Sequence, residues 1–259
     1  MYFKTSDEVK INYEDEGLGP VIVFLTGFGG SKEIWHRQKL ALIQHNYRVV
    51  TMDFRNQGVS QHVNWGLRVS RLAADVHELC LLLKLTEIIL VGNSMGGAVV
   101  YAYLSLYSSN QIKRVVVVDQ SPKMINDHDW HFGFKGLNWQ NFKQRLQQPL
   151  GSSTFKHIDD DTFILVKKVT ESHPFDSRLD YELLINHAVQ DWRDVLRRLS
   201  IPMLLVVGKQ SPYFDYRFGF EVQKLNSKIR TKVVNESGHI VMAEQSEKFN
   251  QLLLEFLSE

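Results

Sequence analysis

The chain has 259 residues, of which 44% are hydrophobic and 23% are charged. This size and composition are typical of one large globular domain, or of a core domain with one insertion, and they argue against intrinsic disorder. A formal net charge of +1 gives no sign of a nucleic-acid-binding face or a polybasic anchor, and the single cysteine, Cys80, excludes an intramolecular disulfide.

Short apolar runs recur along the chain. The first, from Val9 to Tyr13, alternates apolar and polar residues as a half-buried strand does. Later runs of four to six mostly apolar residues are bounded by turn-forming residues, which is typical of strands buried on both faces of a parallel sheet. They cover residues 21–26, 49–52, 88–91, 115–118, 203–207 and 231–234.

Helical patterns lie between these runs. Apolar residues repeat at helical spacing from Leu72 to Leu83 and from Phe249 to Leu257, and Ser246 is a suitable N-cap for the second helix. This alternation predicts an α/β fold with a mostly parallel sheet and helices on both faces. Ligands of such sheets bind at the carboxyl ends of the strands.

Residues 121–194 interrupt this alternation. They are rich in aromatic and polar residues and contain no strong strand pattern. Because a structureless connection of this length is improbable in a compact domain, we predict a mainly helical cap over the sheet edge. The core is then expected to comprise residues 1–120 and 195–259.

Residues 92–97 read GNSMGG and match the G-x-S-x-G pattern. The bare pattern is expected by chance in about one chain in ten of this length, so the motif alone is weak. Its context is stronger, because it directly follows a strand pattern and precedes a helical one, as a nucleophile elbow does. Ser94 is therefore the candidate nucleophile, and the Met95 N–H would face a negative charge that forms beside it.

The chain resembles the α/β-hydrolase family, in the branch that holds small esterases, cofactor-free haloperoxidase-like enzymes and carbon–carbon bond hydrolases. The resemblance runs from Ile11 to Leu257 and is weakest in the predicted cap. The segments that carry it are residues 26–31 (TGFGGS), 52–60 (MDFRNQGVS), 92–97 (GNSMGG), 119–123 (DQSPK) and 237–239 (SGH).

The resemblance implies a base and an oxyanion hole for Ser94. His239 lies after the last strand pattern and before the C-terminal helix, where the family carries its catalytic histidine. Met95 and Phe28 are the expected backbone N–H donors; relatives usually have His-Gly where this chain has Thr26-Gly27. We expect the histidines in polar, helical or loop contexts to lie at the surface, namely His36, His45, His62, His77, His157, His173 and His187.

The sequence leaves the identity of the acid that supports His239 undecided. Relatives most often place an aspartate a few residues after the strand that ends at Gly208, but Ser211 stands there. Asp119 is the candidate we favour, because some relatives carry the acid at this strand end and the carboxyl ends of parallel strands share one edge. Asp215, or Ser211 without any carboxylate, are the alternatives.

These residues predict a serine hydrolase that cleaves small to medium esters through an acyl-enzyme. We expect aromatic residues of the cap to line the cleft, with Trp130 and Trp192 as substrate-binding candidates. A carbon–carbon bond hydrolase, an acyltransferase or perhydrolase, and a non-catalytic small-molecule receptor are the alternatives. Ser94 labelling by a fluorophosphonate would separate the enzymes from the receptor.

No cofactor or metal is expected. The chain has no phosphate-binding loop or dinucleotide fingerprint, and the polar stretch Asp127–His131 lacks a recognised ligand spacing. Residues 1–8 have no apolar core of a secretory signal, and no apolar run approaches the roughly 18 residues of a membrane span. We expect a cytoplasmic monomer or homodimer that binds a small-molecule substrate, with no nucleic-acid or membrane partner.

Overall fold

The computed structural model describes residues 1–107 and 109–259, which form a sheet with helices on both sides. The strands are Tyr2–Lys4 (β1), Lys10–Glu16 (β2), Val21–Leu25 (β3), Arg48–Met52 (β4), Ile88–Asn93 (β5), Ile112–Val118 (β6), Met203–Gly208 (β7) and Ile229–Val234 (β8). The helices are His36–Gln44 (α1), Val69–Leu82 (α2), Met95–Tyr107 (α3), Phe142–Leu146 (α4), Asp160–Ser172 (α5), Tyr181–Ala188 (α6), Arg193–Arg197 (α7), Phe218–Gln223 (α8), Val241–Glu244 (α9) and Ser246–Leu257 (α10), with a 3₁₀ turn, Lys32–Trp35, before α1.

The strand order in the sheet is β1-β2-β4-β3-β5-β6-β7-β8. The pairs β1–β2 and β2–β4 are antiparallel, and every pair from β4 to β8 is parallel. The predicted mostly parallel α/β sheet is therefore confirmed. The sequence pattern missed β1, whose three residues are too few to show an alternation.

Both faces of the sheet are buried. In β3, Val23 and Leu25 pack with the cluster under α2 and α3, whereas Ile22 and Phe24 pack with the cluster under α1 and α10. A strand with an apolar layer on each side cannot alternate with polar residues, which explains the continuous apolar runs. The predicted placement of helices on both faces is confirmed.

Between β6 and β7 the described residues form the helices α4 to α7 and no strand. The absence of sheet strands agrees with the prediction, but the helices cover fewer than half of residues 121–194, so this segment is less helical than expected, and α7 crosses the predicted boundary at residue 194. The helix α6 packs against α2 of the core and α4 of the cap. No helix within residues 1–107 or 109–259 is long and apolar enough to cross a membrane.

Candidate active site

Ser94 occupies a strained turn between β5 and α3. Its φ angle of +54° lies in the left-handed region, which side chains other than glycine rarely adopt. A Cβ on Gly92 would lie 2.3 Å from the carbonyl oxygen of Gly96, and one on Gly96 would lie 2.4 Å from the carbonyl oxygen of Leu25. Both positions therefore require glycine, because the turn brings backbone against backbone.

The Asp119 carboxylate and the His239 ring lie side by side at the carboxyl end of the sheet. Asp119 directly follows β6, His239 lies between β8 and α9, and both are buried. His239 Nδ1 lies 2.7 Å from Asp119 Oδ2. Asp119 Oδ1 accepts the Gly208 N–H at 3.1 Å, and Oδ2 also accepts the Ser211 hydroxyl at 2.6 Å.

The other acid candidate, Asp215, lies elsewhere. Its carboxylate is partly exposed and forms an ion pair with the Arg217 guanidinium, which lowers the pKa of the carboxyl. Ser211 bonds to Asp119 and not to His239, and its Oγ accepts the N–H groups of Tyr213 and Phe214, each at 3.3 Å. Of the three candidates, the structure therefore brings Asp119 to His239, and Ser211 contacts the Asp119 carboxylate.

Two residues that the sequence analysis did not single out hold the His239 loop. Asn93 donates through Nδ2 to the carbonyl oxygens of Val118 and His239, at 3.2 and 3.1 Å. The buried Glu244 carboxylate accepts the N–H groups of Gly238 and Ile240 at 2.9 and 3.1 Å. An acid directly after the apolar residues 241–243 is the only sequence signal for Glu244.

The predicted oxyanion-hole donors lie on the two segments beside Ser94. Met95 begins α3, so its N–H has no partner within the helix, and Phe28 lies in the loop after β3. Neither N–H donates to another described residue. That loop approaches Ser94 closely, because a Cβ on Gly27 would lie 3.0 Å from Ser94 Cβ. Two free donors therefore flank the serine from different elements.

Ser94 and His239 line one cavity of about 450 Å³. Its wall is mostly apolar and includes Phe28, Phe134, Leu150, Phe163, Leu184 and Phe214. Phe134, Leu150, Phe163 and Leu184 come from the insertion after β6. Such a cavity suits a small molecule with an apolar part.

Trp130 and Trp192 are not part of this wall. Trp130 is buried, its indole N–H donates to Ser121 Oγ at 3.1 Å, and the Arg193 guanidinium lies 5.5 Å from its ring centroid. The backbone N–H of Trp192 donates to the Pro122 carbonyl at 2.9 Å. Both residues thus lie at the base of the cap, where its two ends meet, and neither lines the cavity, which corrects their expected place in the cleft.

Two of the histidines expected at the surface line the cavity, and one of them, His157, is also exposed as predicted. His157 is exposed at the edge and its Nε2 lies 3.0 Å from Asp160 Oδ1. His187 is only 4% exposed, which corrects its prediction as a surface residue. The reason is its position on α6: Leu184, three residues earlier, lies on the same face, and that face points inward.

The ligand atoms of Asp127, His128 and Asp129 lie within 4.8 Å of one another near the surface. Asp127 is already neutralised by Lys123, whose Nζ lies 2.6 Å from its Oδ2. His131, the fourth candidate ligand residue in that stretch, is exposed. We expect a solvated polar surface here, since a bare cluster of exposed carboxylates is a weak indication of a metal site.

A family model described as "alpha/beta hydrolase fold" matches residues 20–155. The sn-1-specific diacylglycerol lipase of Xenopus laevis is 26% identical over 257 residues, which cover 95% of this chain and 82% of the lipase. An esterase from Exiguobacterium antarcticum has a TM-score of 0.87 at 22% identity, with 100% of this chain and 99% of the esterase covered. A bromoperoxidase from Bacillus anthracis has a TM-score of 0.85 at 24% identity, with both chains fully covered. At these identities the two structures establish a shared fold.

Proposed function

The chain belongs to the alpha/beta hydrolase fold family, and from this premise we propose that it is a serine hydrolase that cleaves small to medium carboxylic esters through an acyl-enzyme on Ser94. The observation that carries the proposal is the buried Asp119–His239 pair, 2.7 Å apart, at the cavity that Ser94 also lines. A nucleophile, a base and a residue that orients the base are what acyl transfer requires.

In the proposed mechanism His239 Nε2 takes the proton of the Ser94 hydroxyl as Oγ attacks the ester carbonyl carbon. Ser94 Oγ makes no hydrogen bond with the described residues, so it must turn toward Nε2 when substrate binds. The Phe28 and Met95 N–H groups stabilise the oxyanion. Asp119 holds the proton on Nδ1 and offsets the imidazolium charge while Nε2 protonates the leaving alcohol. Water, activated by Nε2, then releases the acid.

The cavity favours an ester over the dienoate acids that carbon–carbon bond hydrolases cleave. Such acids carry a carboxylate, which requires a cation in the cleft, and no Lys or Arg among the described residues lines this cavity. Three basic residues outside the cavity are paired with carboxylates: Arg55 with Asp7 and Asp75, Lys123 with Asp127, and Arg193 with Asp191.

The test is hydrolysis of p-nitrophenyl butanoate by the Ser94→Ala variant. We expect kcat to fall by about 10⁴ or more, because the nucleophile is lost. The matched control is Ser105→Ala, since Ser105 is an exposed serine on α3, the helix that Ser94 precedes. A fluorophosphonate should label the wild type at Ser94 and leave the variant unlabelled. Full turnover by Ser94→Ala would refute the mechanism, and a wild type that binds esters without being labelled would indicate a receptor.

A further inference from the structure

The proposed mechanism leaves one buried imidazole of the cavity without a role. His187 projects from α6 into the cavity wall, and it is 4% exposed. Its Nδ1 is buried and has no hydrogen-bond partner among the described residues. Buried polar atoms of proteins nearly always have a partner, so a ring whose Nδ1 bonds to no described residue is unusual, and its Nε2 is the nitrogen that remains for a ligand in the cavity.

The ring is neutral at physiological pH. Burial and, to a lesser extent, the charge of protonated His239 lower the pKa of His187 to about 3. A neutral imidazole carries one N–H and one lone pair. Because Nδ1 has no acceptor, we assign the proton to Nε2. Nε2 bonds to no described residue, so it can donate to a ligand in the cavity.

Among the other polar groups of the wall, the Gln120 amide oxygen and the Ser31 hydroxyl also lack a partner within the described part of the chain, but the remaining side-chain nitrogen donors are engaged. The Gln120 amide nitrogen donates to the Ser121 carbonyl at 2.8 Å, and His157 Nε2 lies 3.0 Å from Asp160. Ser94 and His239 take part in the reaction itself. His187 thus supplies a neutral donor in an apolar wall without a Lys or Arg among the described residues, and such a donor selects an uncharged oxygen over a carboxylate.

We propose that the His187 Nε2–H group is a specificity determinant, which donates a hydrogen bond to a second, uncharged oxygen in the alcohol part of the ester. The substrate class is then the esters of hydroxy- or alkoxy-alcohols, such as glycol or glycerol esters. We assign the alcohol side because His239, which protonates the leaving alcohol, lines the same cavity and is the charged group that acts on the His187 ring. This inference rests on the proposed ester hydrolysis.

The test compares two esters of equal shape, 2-methoxyethyl butanoate and butyl butanoate, which differ by an oxygen in place of a CH₂. The readout is the ratio of their kcat/KM values on one enzyme preparation, so a general loss of activity cancels. In His187→Phe we expect this ratio to fall about tenfold from the wild-type value, because one neutral hydrogen bond is lost. His187→Gln, which keeps an N–H donor, should retain part of the preference.

His157→Phe is the matched control, because the same replacement is made at the edge of the same cavity. Its ratio should equal that of the wild type. An equal ratio in wild type and His187→Phe overturns the proposal, whatever the absolute activity. Fluorophosphonate labelling of each variant reports the fraction with a reactive Ser94.

A second measurement does not require turnover. In ¹H–¹⁵N spectra of the Ser94→Ala protein at pH 7, His187 should be neutral with its proton on Nε2, and saturating 2-methoxyethyl butanoate should shift the Nε2 resonance. A charged ring or an unshifted resonance overturns the proposal. Absence of ester hydrolysis together with a shifted resonance would instead refute the proposed function and leave the His187 site in place.

Discussion

The Ser211 hydroxyl lies 2.6 Å from Asp119 Oδ2, the same oxygen that lies 2.7 Å from the His239 ring. The two residues that stood as alternatives in the sequence are thus neighbours in one hydrogen-bonded unit, although 92 positions separate them along the chain. The serine stands where many relatives place the acid, and in this fold it contacts an acid supplied by the adjacent strand, β6. The two roles therefore need separate tests.

Asp119→Asn should lower kcat for p-nitrophenyl butanoate by about 10⁴, because an amide cannot offset the imidazolium charge and favours the wrong tautomer. The matched control is Asp215→Asn, whose carboxylate pairs with Arg217. We expect that variant to retain a kcat close to the wild-type value. A large loss in Asp215→Asn alone would reverse the assignment of the acid.

Ser211→Ala should lower kcat by about tenfold and leave KM nearly unchanged. The variant removes one charge-assisted hydrogen bond to Asp119, and also the acceptor of the Tyr213 and Phe214 N–H groups, but it keeps the carboxylate. Steady-state kinetics measure both constants. A loss as large as that of Asp119→Asn would contradict an accessory role for the serine.

Glu244→Ala should destabilise the fold by about 2–4 kcal/mol, because one buried and three partly buried N–H groups lose their acceptor at once. The Glu244 carboxylate also accepts the N–H groups of Phe155 and Lys156, so it joins the cap to the His239 loop. Urea unfolding measures the free energy, with the exposed Glu247→Ala as the control. A variant as stable as the wild type would show that these N–H groups find other partners.

Asp180→Asn should make the protein more stable at pH 8 and have a much smaller effect at pH 4. Burial raises the pKa of Asp180 to about 6, an effect that the Asn56 side-chain hydrogen bond opposes and the nearby Asp176 charge reinforces. The folded state therefore holds this proton more tightly than the unfolded chain. The stability that the proton contributes is present below pH 4 and is lost as the pH rises through 6.

The full difference is at most about 3 kcal/mol, the equivalent of roughly two pKa units. Urea unfolding of wild type and Asp180→Asn at both pH values measures it, and the exposed Asp194→Asn serves as the control. The amide keeps an acceptor for Asn56, whose Nδ2 lies 2.5 Å from Asp180 Oδ1. Equal unfolding free energies of the two proteins at pH 8 would contradict a buried charge at this position.

The sequence by itself determined the features that local patterns encode. Strands buried on both faces require continuous apolar runs, and the elbow around Ser94 requires glycines at 92 and 96 because backbone meets backbone there. The position of His239 also followed from sequence order and resemblance. These signals were readable because each depends on residues only a few positions apart.

Only the tertiary structure decided which side chains meet across the sheet and the cap. Asp119 reaches His239 because β6, β7 and β8 are consecutive parallel strands, whose carboxyl ends share one edge. The inward face of α6 buries His187, while Trp130 and Trp192 lie at the base of the cap. Periodicity assigns a residue to a helix or strand and to one of its faces. It does not say which element covers that face, because that depends on packing between segments distant in the chain.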